Sequence, residues 1–353
     1  MCQRTAWLWG EMTKPKVHVE RWEELSHTRT ALKKSLEALD WKSIVKPNDQ
    51  VVIKVNGTHF TYLEGLTTTP ELVYEFVRLL KTRAGEVIVG ESNLQRVSAE
   101  EALMGCGIQK AAEKAGARVV NFSSLPMRSD IEGEYMRGTP LPKLYSDCDV
   151  FCSMPVFKTH KLTGVTLTLK NHFGCHPDDL RLKHHGDIHK VLSDITGYIK
   201  PRLVVMDGRI GLESDGPIAG LPKKLGLLLT STNCVAADST ACRIMGFDPS
   251  EIKHIAHAHG RGLGPLSLDQ INYTGPPIKD ITDPFERANQ DSISALEKWL
   301  SNKPRLSKLV YRTFFNQMKW ISWKIRWASG YKKEYVRRIE ERGIWKDYEG
   351  LFH

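Results

Sequence analysis

His160 and Lys170 stand ten positions apart in a stretch, Pro155 to His189, that also carries Lys158, Asn171, His172, Cys175, His176, His184, His185 and His189. Six of the chain's thirteen histidines fall here. An imidazole whose ordinary pKa is about 6.5 shuttles protons at neutral pH. A lysine crowded by other amines either loses its proton and becomes a nucleophile or stays charged and holds a carboxylate. The expected chemistry is proton or hydride transfer at carbon on a small oxygenated, carboxylate-bearing substrate, with His160 as acid/base, Lys170 as anchor and Asn171 orienting either. His172, Cys175, His176, His184, His185 and His189 are donor types that suit Zn, Ni or Fe, so metal assistance is a second expectation.

Such a run can also be a solvated polar loop. Against that, Val165, Leu167 and Leu169 alternate with Thr166, Thr168 and Lys170, the period of a half-buried strand. A strand here would aim Lys170 away from the three apolar residues.

The elements around this stretch alternate. A helix is expected over Arg21 to Leu39, then a buried strand at Val51-Val-Ile-Lys-Val. The polar loop after it contains Asn56 and ends in Thr67-Thr-Thr-Pro, where Thr69 would cap a helix from Pro70 to Lys81. A polar loop between a strand's carboxyl end and a helix's amino end is where open α/β sheets bind ligands, which makes Asn56, Thr69 and Lys158 candidate substrate contacts. Capping alone would also account for the threonines.

A strand at Glu86 to Glu91, a helix from Ser98 to Ala115, strands at Ala117 to Phe122 and Asp149 to Pro155, and an irregular excursion over 124–148 follow. Beyond the central stretch come a helix from Ile188 to Ile199, a strand at Leu203 to Asp207 and a glycine-rich acidic loop from Asp207 to Gly220. A strand from Leu225 and a helix from Cys234 to Met245 carrying Asp238 complete the core. Asp207 and Asp238 are the candidate ligand-binding acids. The pattern predicts an α/β fold: a mostly parallel sheet with helices on both faces and a C-terminal basic helical extension. His254, His257 and His259 invite a metal reading, but beside Gly260-Arg-Gly they read more simply as a helix end complementing its dipole.

Folding a chain of 353 residues needs no metal or disulfide staple, and its seven cysteines form no Cys-x-x-Cys pair, so no local zinc ribbon or ferredoxin cluster is written. Their odd number suits a reducing cytoplasm. No apolar run reaches the roughly 18 residues of a membrane span, and the first residues lack a signal-peptide layout. The expectation is a soluble cytoplasmic protein with a tail at 1–15, an α/β region at 16–300 in one lobe or two, and an extension at 301–353.

That extension is different in kind. Between Lys303 and Arg342, twelve Lys or Arg face three Asp or Glu, an excess equal to the whole net charge of +9. Val310, Phe314, Trp320, Trp323 and Trp327 interleave with Lys308, Arg312, Lys319 and Lys324. This suits an interfacial helix on an anionic membrane surface, or else a helix packed on the domain with a solvated basic face. A non-catalytic module that binds an anion or a partner and is anchored by this tail is the competing reading of the whole chain. Nucleic acid is disfavoured, because no recognised binding module accompanies the tail.

Thr67-Thr-Thr-Pro, Lys158-Thr-His-x-x-Thr-Gly-Val-Thr-Leu-x-Leu-Lys-Asn-x-Phe-Gly, Asp207-Gly with Gly216-Pro, and Ala236-Ala-Asp238 resemble the family called domain of unknown function 362, over roughly residues 45 to 265. Many members of that family carry an added module of cysteine-ligated clusters, whose cysteines this chain lacks. A fainter similarity is to the nickel-dependent lactate racemase group. There a His precedes a cofactor-bearing Lys by ten positions and a metal-binding His lies beyond, as His160, Lys170 and His184, His185 and His189 do here. The glycines around that lysine are replaced by threonines and leucines.

Overall fold

Short β-branched runs build one continuous sheet in the computed structural model, which describes residues 13–94, 97–176, 181, 184–288, 331–346 and 348. Its strands are β1 (Lys16–Arg21), β2 (Gln50–Lys54), β3 (Glu86–Glu91), β4 (Arg118–Asn121), β5 (Val150–Ser153), β6 (Val156–His160), β7 (Leu203–Asp215), β8 (Ala219–Ser231) and β9 (Asn272–Thr274). The order across the sheet is β9-β1-β8-β7-β5-β2-β3-β4, with β6 paired to β7 beside β5. From β4 to β7 every pairing is parallel; β8 runs against both its neighbours.

Side chains alternate across the pleat, so both faces must be covered. Val51 and Ile53 of β2 join Leu72, Val73 and Phe76 of helix α2 (Pro70–Leu80) and Leu32 and Leu36 of α1 (Thr28–Ala38) on one face. Val52 and Ile88 join Phe122, Phe151 and the Ile188, Leu192 and Ile195 stripe of the helix Ile188–Ile199 on the other. Pro70 opens α2 as expected, but Thr69 before it, extended in backbone, makes no side-chain cap hydrogen bond.

Four expectations change. Val17 and Val19, fully buried, alternate with His18 and Glu20 and pair with β8, so the helix expected from Arg21 starts only at Thr28 and β1 precedes it. The helix expected over Ser98 to Ala115 is two, α3 (Ala99–Gly105) and α4 (Ile108–Lys114), broken where Gly107 takes φ +80°. A Cβ on Gly105 would come within 2.0 Å of the Phe60 carbonyl, so the loop after β2 rests directly on this break.

The alternating stretch from Val165 is not a strand. Only Gly164–Val165 pairs, with Thr159 and His160, and the chain then turns into the helix α5 (Leu167–Asn171). The Asp238 carboxylate accepts the Thr168 and Leu169 N–H groups at 2.7 and 2.8 Å, a tertiary cap that outweighs the local alternation. The glycine-rich stretch from Asp207 is not a loop either, because β7 and β8 run on as a long hairpin through it. Its acids have partners: Asp215 with Lys161 at 3.0 Å, and Glu213 with Lys223 and Arg342.

The remaining helices are α6 (Ile188–Ile199), α7 (Cys234–Ile244), α8 (Lys253–Gly260) and α9 (Tyr331–Arg342). The last belongs to the basic extension, and it packs on the domain. Ile339 is fully buried, Tyr335 Oη donates to the Gly220 carbonyl at 2.9 Å, and Arg338 and Arg342 pair with Glu286 and Glu213. Residues 1–12 and 291–330 lie outside the described residues. Among those described, no helix is long and apolar enough to cross a membrane.

Candidate active site

The carboxyl ends of β2, β3 and β6, the loop after β2 and helix α5 meet in one buried polar cluster. Lys54 ends β2 and Glu91 ends β3, both almost wholly buried. The Lys54 ammonium donates to Glu91 Oε2 at 2.6 Å, to the Val55 carbonyl at 2.9 Å and to Asn171 Oδ1 at 3.0 Å. Glu91 also accepts from the Gly57 and Ser92 N–H groups.

Asn171 Oδ1 takes a second hydrogen bond, from Asn56 Nδ2 at 3.1 Å, and Asn56 Oδ1 accepts from Lys158 Nζ at 2.8 Å. Two asparagines therefore bridge two buried amines. Lys158 is fully buried and donates also to the Leu66 carbonyl, with Thr58 Oγ1 at 3.4 Å. Burial, and after it the charge of Lys54, pushes the Lys158 amine down to about 7. Lys170 acts on it in the same sense.

This geometry explains the Asn171-x-Phe-Gly spacing. Asn171 accepts the Lys54 amine, Phe173 lies 5.0 Å under the Lys170 ammonium, and Gly174 passes over the ion pair. A Cβ there would stand 2.7 Å from both Lys54 Nζ and Glu91 Oε1, so only glycine fits.

Of the expected residues, Asn56, Lys158 and Asn171 touch one another. Asp207 sits behind the loop, accepting the Thr69 N–H at 2.8 Å, with its pKa raised by burial. Asp238 lies beneath α5 as its cap, pushed up to about 7 because burial outweighs its two N–H donors. His160 closes β6, and its Nδ1 accepts from the Leu162 and Thr163 N–H groups at 3.0 and 3.3 Å. Lys170 rides on α5, one turn past its start, and not on a strand.

The expected metal donors do not come together. His172 is buried, shares a hydrogen bond with Thr196 and is pushed to about 3 by burial, while the Cys175 thiol is pushed up to about 12 by its own burial. His176 Nε2 meets His184 Nδ1 at 2.5 Å, and His189 stacks on His254 at 6.0 Å. The side chain of His185 lies outside the described residues. Among the described residues no three His, Cys, Asp or Glu are placed to share a metal ion. Of the trio 254, 257 and 259, His257 meets Ser193 and His259 meets the Gly264 carbonyl, but His254 is fully buried and held well below its ordinary value by burial, so it does not complement the helix dipole as a cation.

Three members of the cluster were not anticipated: Lys54, Glu91 and His59. The first two carried a signal, a charged residue ending an otherwise apolar strand at the edge where such sheets bind ligands. His59, half-buried in the loop after β2, is held below its ordinary value by burial and by the Lys158 amine. A cavity of about 180 Å³ lined by Arg21, Leu225, Leu227 and the stretch 280–283 holds none of these groups.

An open, mostly parallel sheet with a lysine–asparagine–carboxylate cluster at its carboxyl rim defines an α/β protein with a rim site. More narrowly, the chain belongs to the family described as domain of unknown function (DUF362), whose model matches residues 51–243. A thylakoid-associated protein of Synechocystis is 27% identical over 241 residues, covering 64% of this chain and 72% of its own length. The lactate racemase apoprotein from Thermoanaerobacterium thermosaccharolyticum superposes with a TM-score of 0.44 at 13% identity, over 68% of this chain and 58% of that one.

Proposed function

We propose that this chain is an enzyme that moves a proton at carbon on a small oxygenated, carboxylate-bearing substrate bound at the rim cluster. The supporting observation is the composition of the site: Lys158 is buried with neutral acceptors only, next to Lys54 and within the field of Lys170. The Glu91 carboxylate is committed to Lys54 and that of Asp207 to backbone N–H groups. With those carboxylates committed, the Lys170 ammonium acting on the cluster favours an anion. Lys170 is the carboxylate anchor, and Asn56 and Asn171 orient the bound groups.

His160 supplies the acid. With Nδ1 accepting two N–H groups, the neutral ring carries its proton on Nε2, where it can polarise a substrate oxygen. In deuterium oxide, proton NMR should show loss of a C–H resonance faster than in buffer for at least one of D-lactate, L-lactate, L-malate, pyruvate and 2-oxobutyrate. His160→Ala and Lys170→Ala should each slow that loss by about 10²-fold or more with an unchanged melting temperature. Equal rates in buffer and enzyme for the whole panel, or full activity in His160→Ala, would remove the assignment.

A second reading concerns location and rests on the thylakoid association named for the Synechocystis relative. Of the arginines of α9, Arg338 and Arg342 are spent on Glu286 and Glu213 and Arg337 on Glu334 and Glu341, which leaves the basic and aromatic residues of 301–330 as the candidate contact with an anionic surface. The full chain should float with phosphatidylglycerol-rich vesicles at low salt and be released at high salt. A Lys308→Glu, Arg312→Glu, Lys319→Glu variant should stay at the bottom of the gradient. A wild-type chain that never floats refutes this reading.

A further inference from the structure

Counting donors against acceptors separates the two buried amines. Lys54 has three acceptors for three N–H groups, and one of them is the Glu91 carboxylate: the hydrogen-bonding pattern of an ammonium. Lys158 has two good acceptors, Asn56 Oδ1 and the Leu66 carbonyl, and no carboxylate. Its third neighbour, Thr58 Oγ1, lies 3.4 Å away and places its own proton on Asn56 Oδ1. A third acceptor that long, with none of the three charged, holds an ammonium less well than the Lys54 site does and so favours the neutral amine. A fixed cation beside a desolvated lysine is a recognised way to keep such an amine unprotonated at neutral pH.

We infer that Lys158 is a nucleophile that condenses with the carbonyl of a 2-oxo acid and holds it as an imine. This rests on the proposal that the substrate binds at the rim cluster, and it narrows the substrate class to carbonyl-bearing carboxylates. The amine nitrogen bonds to the carbonyl carbon, and the carbonyl oxygen gains a proton to give the carbinolamine. The C–O bond then breaks, and the oxygen leaves as water with the second amine proton. Amine plus carbonyl gives imine plus water, and no oxidant or reductant is consumed. His59, beside the amine with Nδ1 accepting the Thr61 N–H, carries its proton on Nε2 and can hydrogen-bond the departing hydroxyl while the second amine proton completes the water. Thr58, whose Oγ1 lies 3.4 Å from the amine, and His59 are both half-buried. Protonated, the imine acidifies the neighbouring C–H, which is the bond the proposed reaction needs to weaken.

Glyoxylate, the smallest 2-oxo acid, with sodium cyanoborohydride at pH 7 is the probe for the full-length protein. Peptide mass spectrometry should place one carboxymethyl group on Lys158, gained at least about ten times faster than on a surface lysine such as Lys33, whose amine has an ordinary pKa near 10.4. Lys158→Gln, which is neutral and still donates to an oxygen of the Asn56 side chain or the Leu66 carbonyl, should fold normally and lose this label. Labelling spread evenly over surface lysines, centred on Lys170, or absent overturns the inference. Proton exchange in deuterium oxide without a Lys158 label leaves the proton-transfer proposal standing and rejects the imine. A Lys158 label without exchange does the reverse.

Discussion

Glu91→Gln is expected to lower the stability of the fold by about 3–5 kcal/mol, the usual cost of removing one member of a buried ion pair. The glutamine matches the shape, but its single oxygen can accept only one of the Gly57 and Ser92 N–H groups, which donate to different oxygens of Glu91, so the loss combines the charge facing the Lys54 ammonium at 2.6 Å with one unpaired N–H. Lys54 would then sit in the core with only Val55 and Asn171 as acceptors. Pairing the change with Lys54→Met should recover much of the deficit, because two apolar or neutral groups of similar volume replace two charges. Urea denaturation at pH 7 reads both. A double variant no more stable than Glu91→Gln alone would show that the pair is not the unit described.

Lys158→Met is expected to alter how stability depends on pH. The native amine is pushed down to about 7 by burial and by Lys54, whereas in the unfolded chain it returns to the ordinary lysine value near 10.4. Between those two values the unfolded chain holds a proton that the native chain does not. Stability from this group therefore rises as pH increases through that window, and it is lost as pH falls toward 7. The sign is opposite to that of Asp238, whose raised pKa makes its contribution fall as pH rises from the ordinary carboxylate value through about 7. Taking wild type minus Lys158→Met at each pH cancels the other groups. That difference should move in favour of wild type from pH 7 to 9.5 in urea titrations. A flat or falling difference would mean that Lys158 keeps its proton when folded.

Most of the sheet was readable because parallel strands buried on both faces leave unbroken apolar runs, and Val51 to Ile53 and Val87 to Val89 are such runs. What escaped depended on partners distant in sequence. Thr166 to Lys170 alternates like a strand, and only Asp238, some seventy positions away, turns it into a helix. The hairpin after Asp207 reads as a loop until Lys161, Lys223 and Arg342 are placed against its acids. The same holds at the site. Asn56, Lys158 and Asn171 were identified from residue type and position at the rim, but the amine without a carboxylate is Lys158, and no spacing rule distinguishes it from Lys170. The ion pair beneath Gly174 joins the ends of two strands, and nothing local announces it.

Trp345 Nε1 donates to the Glu64 carbonyl at 2.8 Å across a separation of 281 residues, and Trp345 packs with Leu63 and Leu66, whose carbonyl takes the Lys158 amine. On the ribosome, where chains fold from their amino ends, the loop after β2 must wait for the 281 residues that separate it from Trp345 before this indole arrives. The wall around the Lys158 amine is thus completed long after the amine's own strand is made, and a chain interrupted between the two would present the cluster without its outer support.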